Sequence, residues 1–256
     1  MIIFDSGYSD NYDGPGTRLI FYLKGCNFRC DWCGAPESIS PQPEILRYPE
    51  RTITVGHEIT VGEIVRKARK ARSFINGVTF GGGEPTLQIA ELLEALRLLR
   101  EAKIHTAMES NASTPGFRDA AMMVDFLYAD LKTLELERFR QRVSPNVALL
   151  ELCKDNLRFA AQHQPSFTVR IPVVSGLNDD LPAQQKLHEF LLELLSLRPQ
   201  EELHVELLRQ HHLAEPKYMA LGRESACRDV QPPPRENLEQ FVVRLRKDHI
   251  NAVCFG

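Results

Sequence analysis

Three of the six cysteines in this 256-residue chain fall within eight positions, in Cys26-Asn27-Phe28-Arg29-Cys30-Asp31-Trp32-Cys33. Thiolates spaced C-x3-C-x2-C on a loop can converge on one metal centre, and soft sulfur ligands select zinc, copper(I) or iron–sulfur clusters. A closed structural zinc site needs a fourth ligand, ordinarily another Cys or His close by. None occurs before His57, and Cys153, Cys227 and Cys254 stand more than a hundred residues away with no spacing of their own for a second centre. Three readings follow from the residues alone. They are an iron–sulfur cluster with one iron open to a ligand from outside the protein, a zinc loop completed by a distant side chain, and three buried thiols without metal.

The loop must be held by whatever surrounds it. Thr17–Leu23 (TRLIFYL) reads as a strand running into Gly25-Cys26. The proline-bearing stretch 41–58 reads as a loop excursion. After it the pattern alternates: helix from Thr60 to Ser73, with Thr60 and Glu63 spaced as a capping box, then strand Gly77–Phe80 and helix Ala90–Ala102. Strand Ile104–Met108, a helix from Gly116, strand Val124–Ala129, helix Leu149–Ala161 and strand Phe167–Val174 follow. Helix Ala183–Leu197, strand Leu203–Leu208, helix Glu236–Lys247 and strand Ile250–Phe255 complete the chain. Repeated strand–helix alternation implies a parallel sheet covered by helices, either doubly wound or barrel-like. The unusual residues decide for a barrel, where chemistry gathers at strand C-termini. They are Cys26, Gly81-Gly82-Gly83-Glu84, Glu109-Ser110-Asn111, Asp130, Val174-Ser175-Gly176 and Arg209-Gln210-His211, each at a predicted strand end.

Composition narrows the class. With 31 Lys+Arg against 34 Asp+Glu the net charge is −3, which excludes a nucleic-acid binder acting by bulk charge. Nowhere do 18 apolar residues run together, so no membrane span is expected. Met1–Asn11 has neither a basic start nor an apolar run, so no secretory signal is expected and the compartment is read as a reducing cytoplasm.

The cysteine loop with its aromatic Trp32, taken with Gly81-Gly82-Gly83-Glu84-Pro85, resembles the signature of the radical S-adenosylmethionine superfamily. Asp13-Gly14-Pro15-Gly16-Thr17-Arg18 joined to Phe21-x-x-x-Gly25-Cys26 is similar to the start of the glycyl-radical-enzyme activating enzymes within it. Further similarity runs through Asp130-Leu131-Lys132, Arg170, Glu206-Leu207-Leu208 with His211, and Met219-Ala220-Leu221-Gly222.

This resemblance implies one α/β domain over 1–256, a partial (β/α)6 TIM-like barrel of the radical SAM type. It implies a [4Fe–4S] cluster on Cys26, Cys30 and Cys33, whose fourth iron is chelated by S-adenosylmethionine. The cofactor would be met by Trp32, Gly82, Gly83, Glu84, Ser110, Asp130, Lys132 and His211, with His212 an adjacent alternative, and the partner's loop by Asp13 and Arg170. The implied chemistry is reductive cleavage of S-adenosylmethionine to methionine and a 5′-deoxyadenosyl radical, which takes a hydrogen atom from a glycine Cα of a glycyl-radical enzyme under anaerobic conditions. The cysteine-free stretch from Gly34 to Gly81 leaves no room for the ferredoxin-like insertion many activases carry. A monomer reduced by an external flavodoxin or ferredoxin is therefore expected. Gly34-Ala35 replaces the His and Asn common in activases, and Glu109 replaces an aspartate near the methionine carboxylate, which puts a monovalent-cation site in doubt. Rival expectations are a radical enzyme modifying a small molecule, nucleoside or peptide, and a non-catalytic iron–sulfur or zinc protein.

Overall fold

The computed structural model describes residues 1–256. Strands β1 (Ile2–Asp10) and β2 (Thr17–Leu23) form an antiparallel hairpin. From β2 onward the chain winds through α1 (Val61–Ala71), β6 (Gly77–Gly82), α2 (Ile89–Glu101), β7 (Thr106–Ser110), α3 (Phe117–Ala121) and β8 (Phe126–Asp130). It continues through α4 (Leu136–Arg142), α5 (Ala148–His163), β9 (Phe167–Val173), α6 (Leu181–Ser196), β10 (His204–Arg209), α7 (Glu215–Ala220), α8 (Arg235–Lys247) and β11 (Asn251–Phe255). Each strand from β6 to β11 pairs in parallel with its predecessor in this series, beginning on β2. Six strand–helix units and a closing strand therefore make the expected partial barrel, open between β11 at one edge and β1 with β5 (His57–Glu58) at the other.

The stretch 41–58 departs from its reading as a loop. Glu44–Arg47 (β3) and Thr52–Val55 (β4) pair as a separate antiparallel hairpin, and β5 adds to β1. Prolines 41, 43 and 49 flank these strands rather than interrupt them, and Leu46 is buried. Three other elements carry weak patterns. In β1 the residues Asp5, Gly7 and Asp10 break any apolar alternation, while α4 buries Phe139 alone and α7 is six residues long.

The main core lies between sheet and helices. Leu19, Phe21 and Leu23 of β2, alternating outward, pack with Val78 and Phe80 of β6 against Ile64 and Ala68 of α1 and Leu92, Leu96 and Leu99 of α2. Helix α1 begins at a full capping box: Thr60 Oγ1 accepts from Glu63 N at 3.2 Å while Glu63 Oε2 accepts from Thr60 N at 2.9 Å.

The barrel interior is filled from below by Arg18, which is 0% exposed. Its Nε donates to Thr79 Oγ1 at 3.0 Å and its Nη2 to the Val78 carbonyl at 2.7 Å, while Nη1 meets His105 Nδ1 at 3.1 Å. Burial lowers its pKa to about 10, with Asp125 opposing. Gly77 is required beside it, since a Cβ there would stand 2.3 Å from Arg18 Nη1. The arginine of the Asp-Gly-Pro-Gly-Thr-Arg segment is thus a floor for the barrel.

Thr60→Ala removes the hydroxyl half of the capping box, leaving only the backbone N–H of residue 60 bonded to Glu63, and is expected to lower stability by about 1 kcal/mol. Urea unfolding would show a reduced midpoint at unchanged slope; an unchanged midpoint would mean that the cap contributes nothing.

Candidate active site

The cysteine loop leaves β2 between two backbone turns. On one side Gly25 N donates to Ser38 O at 2.7 Å and Cys26 N to Ile39 O at 3.0 Å. On the other, Glu84 N donates to Gly25 O at 2.8 Å and Gly83 N to Leu23 O at 2.9 Å. Gly83 approaches so closely that a Cβ would lie 2.2 Å from Gly25 O. Gly82, at φ +109°, makes the bend that brings it there. The far side of the loop is carried by α4: Arg29 N donates to Val143 O at 2.8 Å and Asp31 N to Arg142 O at 3.2 Å. Phe28 plugs a small apolar cluster with Phe139, Val143, Leu150, Cys153, Val174 and Leu177, its ring edge-on to Phe139 at 5.5 Å. Burying a side chain of that kind contributes about 2 kcal/mol.

Glu84 holds the next layer together. It is 0% exposed and has no cationic partner, yet both oxygens are engaged. Oε1 accepts from Thr86 N at 3.2 Å, from the Thr86 hydroxyl and from Ser110 Oγ at 2.8 Å, and Oε2 accepts from Asn111 N at 2.7 Å. Burial pushes its pKa up while these donors hold it down. The side chains of Glu84 and Ser110 are therefore turned into the scaffold; what the glycine turn offers outward is backbone, and no protein donor reaches the Gly83 carbonyl. Asn111, marked in the sequence as one of the unusual residues at a strand end but given no role there, places its Nδ2 3.7 Å from Cys26 Sγ and 3.2 Å from Asn27 Oδ1.

The three thiols are half-buried and electrostatically coupled to one another. Burial pushes the Cys26 thiol up to about 12 and raises Cys30 and Cys33 as well. Lys132 works in the opposite sense on all three. Burial opposes the Lys132 ammonium, but Asp130, whose Oδ2 accepts from Nζ at 2.6 Å, and Cys30 outweigh it and raise its pKa. Nowhere do three His, Cys, Asp or Glu side chains converge closely enough to share one metal ion, the cysteine loop included. The donor set is instead three soft thiols near enough to shift one another's ionisation, beside a cation, on a loop whose start Gly83 packs against at close range. That chemistry fits a polynuclear iron–sulfur cluster, whose thiolates bind separate irons.

Trp32 is half-buried, with the Arg142 guanidinium 5.7 Å from its ring centroid. Arg142 Nε also pairs with Asp31 at 2.7 Å and its Nη1 donates to Ser175 O at 2.8 Å, pinning the Cys-Asp-Trp-Cys segment. His211, after β10, comes to the loop from the far end of the sheet: a Cβ at Gly34 would lie 3.7 Å from its Cε1. That contact distinguishes it from His212.

Asp13 and Arg170 meet in the lumen with Glu109. Arg170 Nη1 donates to Glu109 Oε1 at 2.6 Å and Nε to Glu206 Oε2 at 2.7 Å, while Nη2 donates to the Tyr12 carbonyl. Its guanidinium carbon lies 3.5 Å from the Tyr128 ring centroid. Burial raises the Glu109 carboxyl to about 8 against the pull of Arg170, with Asp13 and Asp130 adding to the rise and Asp13 in hydrogen-bonding reach. The charged network Glu109–Arg170–Glu206 joins three strands and had no signal in local spacing.

Residues 20–183 match the Radical SAM superfamily. The chain belongs to the radical S-adenosylmethionine superfamily. Among curated relatives of this radical SAM protein, the isethionate sulfite-lyase activating enzyme of Desulfovibrio desulfuricans is 28% identical, covering 86% of this chain and 86% of the relative. The pyruvate formate-lyase 1-activating enzyme of Escherichia coli is also 28% identical, over 89% of this chain and 88% of its own. The crystal structure of a domain of a pyruvate-formate lyase-activating enzyme from Bacteroides vulgatus superposes with a TM-score of 0.54 at 26% identity, covering 71% of this chain and 99% of that one. The superfamily works with a [4Fe–4S] cluster and S-adenosylmethionine, so this radical SAM chain is an enzyme carrying both. No helix is long and apolar enough to cross a membrane.

Two measurements follow. Gly83→Ala forces the Gly25 carbonyl aside, so reconstituted protein should bind markedly less iron and sulfide per chain; full occupancy would show that the close approach is dispensable. Glu109, with its pKa raised to about 8, destabilises the fold as it ionises, so stability should fall as pH rises from the ordinary carboxylate range towards 8. Glu109→Gln should flatten urea midpoints across that window, and an unchanged slope would place its origin elsewhere.

Proposed function

We propose that this chain is an activating enzyme that removes a hydrogen atom from a glycine Cα in a partner glycyl-radical enzyme. The observation that carries this reading is the extent of the similarity: activating enzymes align with it over 86% or more of both chains. Cys26, Cys30 and Cys33 hold the cluster in this reading. Gly82 and Gly83 offer backbone groups to the methionine end of the cofactor, Asp130 and Lys132 its polar groups, and Trp32 with His211 its adenine. When bound, the cluster and S-adenosylmethionine supply a carbon-centred radical that takes the hydrogen atom.

The protein's own part is to orient the reactants and exclude water. Lys132 keeps positive charge beside thiols that must ionise to bind iron. Glu84 and Ser110 serve the same site from behind by fixing the ends of β6 and β7. Arg170 already donates to a backbone carbonyl, that of Tyr12, which is the kind of group an extended glycyl loop presents. Asp13, half-buried in the same turn, supplies the matching acceptor. Cys153, Cys227 and Cys254 share no ligand spacing in the sequence, and this reading has one cluster reduced by an external flavodoxin or ferredoxin.

Anaerobic incubation of reconstituted protein with S-adenosylmethionine, dithionite and candidate glycyl-radical enzymes should produce the glycyl doublet in electron paramagnetic resonance, and Cys26→Ala should abolish it. Release of 5′-deoxyadenosine with silence from every encoded glycyl-radical enzyme would sink the activase reading in favour of another substrate. No 5′-deoxyadenosine at all would leave a non-catalytic cluster protein.

A further inference from the structure

One ion pair stands against the cysteine loop without a part in the chemistry above. Glu37, four residues beyond Cys33, lies in the short turn Pro36–Ser38 and is 5% exposed. Its Oε1 accepts from Lys217 Nζ of α7 at 2.5 Å, whereas its Oε2 is buried with no hydrogen-bond donor. A buried carboxylate oxygen left without a donor is unfavourable, and such atoms are few in native proteins. Another role for the charge would account for its retention.

The turn carrying Glu37 is rigidly coupled to the thiols. Its Ser38 and Ile39 carbonyls receive Gly25 N and Cys26 N, and Lys24 Nζ donates to the Glu37 carbonyl at 2.5 Å while pairing with Glu44 at 3.3 Å. Arg223, just past α7, bonds the Pro36 carbonyl at 3.1 Å and pairs with Glu44. Glu37 stands four residues beyond Cys33 in a turn bonded to the backbone of Gly25 and Cys26, and it holds Lys217 against that turn, so both charges lie beside the loop that ends in Cys33. The two charges do not cancel there. The Glu37 side chain is 6% exposed and that of Lys217 is 37% exposed, so water screens the ammonium more than the carboxylate.

We propose that the Glu37–Lys217 pair sets the reduction potential of the iron–sulfur cluster on Cys26, Cys30 and Cys33, Glu37 lowering it and Lys217 raising it. Net charge beside a cluster is one of the determinants of its potential: a nearby anion disfavours the added electron and a cation favours it. Both are positioning residues, acting through the field at Cys33. The inference rests on the loop holding a cluster, as the functional reading requires.

The test is a redox titration, followed by electron paramagnetic resonance, of reconstituted wild type, Glu37→Gln, Glu37→Asp and Lys217→Met at one fixed pH. Glu37→Gln should move the midpoint upward and Lys217→Met downward, with the larger displacement for Glu37, and Glu37→Asp should return towards wild type. Shifts of the same sign, or none, in variants with full iron content would overturn the proposal, since a merely structural brace would not give opposite signs. Should Glu37→Gln assemble no cluster, Lys217→Met alone decides, because it must still lower the midpoint. A wild-type protein that binds no cluster would instead defeat the functional reading itself.

Discussion

The arrangement depends on a carboxylate that never faces solvent. Glu84 has no cation beside it, so its charge is supported by dipoles: a backbone N–H and two hydroxyls beside it in its own turn and at the end of β7, and the N–H of Asn111. Charge-assisted bonds of this kind are about twice as strong as neutral ones. They are directional too, so they fix where the β6 turn stands relative to the end of β7. From that junction the geometry spreads outward. Glu84 N carries Gly25 O, Gly25 leads to Cys26, and Asn111, held through its own N–H, reaches towards the Cys26 sulfur. A single buried side chain thereby sets the relation of glycine turn, strand end and thiol loop.

Inside the barrel the ordering principle is different, because several like charges are forced together. Asp13, Glu109, Glu206 and Asp130 surround two cations, Arg170 and Lys132. Arg170 satisfies three acceptors at once with its planar fork and lays its face on Tyr128, a combination a lysine could not reproduce. Burial and the neighbouring carboxyls push the Glu109 carboxyl up towards about 8 against the pull of Arg170, so it is the member of the cluster most easily neutralised.

Much of this was legible in the sequence because chemistry and periodicity agreed: apolar runs ending in Cys26, Gly82-Gly83-Glu84, Ser110 and Asp130 mark strands whose ends converge. The capping box at Thr60 was legible for the same local reason. What escaped was whatever depends on partners distant in sequence. β1 becomes a strand because β2 would otherwise expose an edge, although its Asp5, Gly7 and Asp10 give no alternation. The stretch 41–58 folds as a hairpin because Leu46 finds a buried position, a fact its prolines concealed. Glu84 looked like a ligand-facing acid, and only burial shows that it looks inward. Arg142 and Lys217 sit on short helices with weak patterns and act on Asp31 and Glu37 at separations that no spacing rule reaches.

The sheet closes neither as a ring nor through a helix, yet its first and last loops touch. Gly34 lies against His211, Lys217 reaches Glu37, and Arg223 reaches Glu44, so the region after β10 is strapped across the loops that follow β2. The sheet is held by backbone ladders and an apolar core, which are little affected by dissolved ions. The strap is held largely by charge pairs with partly exposed cations, which mobile ions weaken. The molecule therefore has two cohesions with different sensitivities: ionic strength loosens the mouth of the barrel while leaving its wall intact.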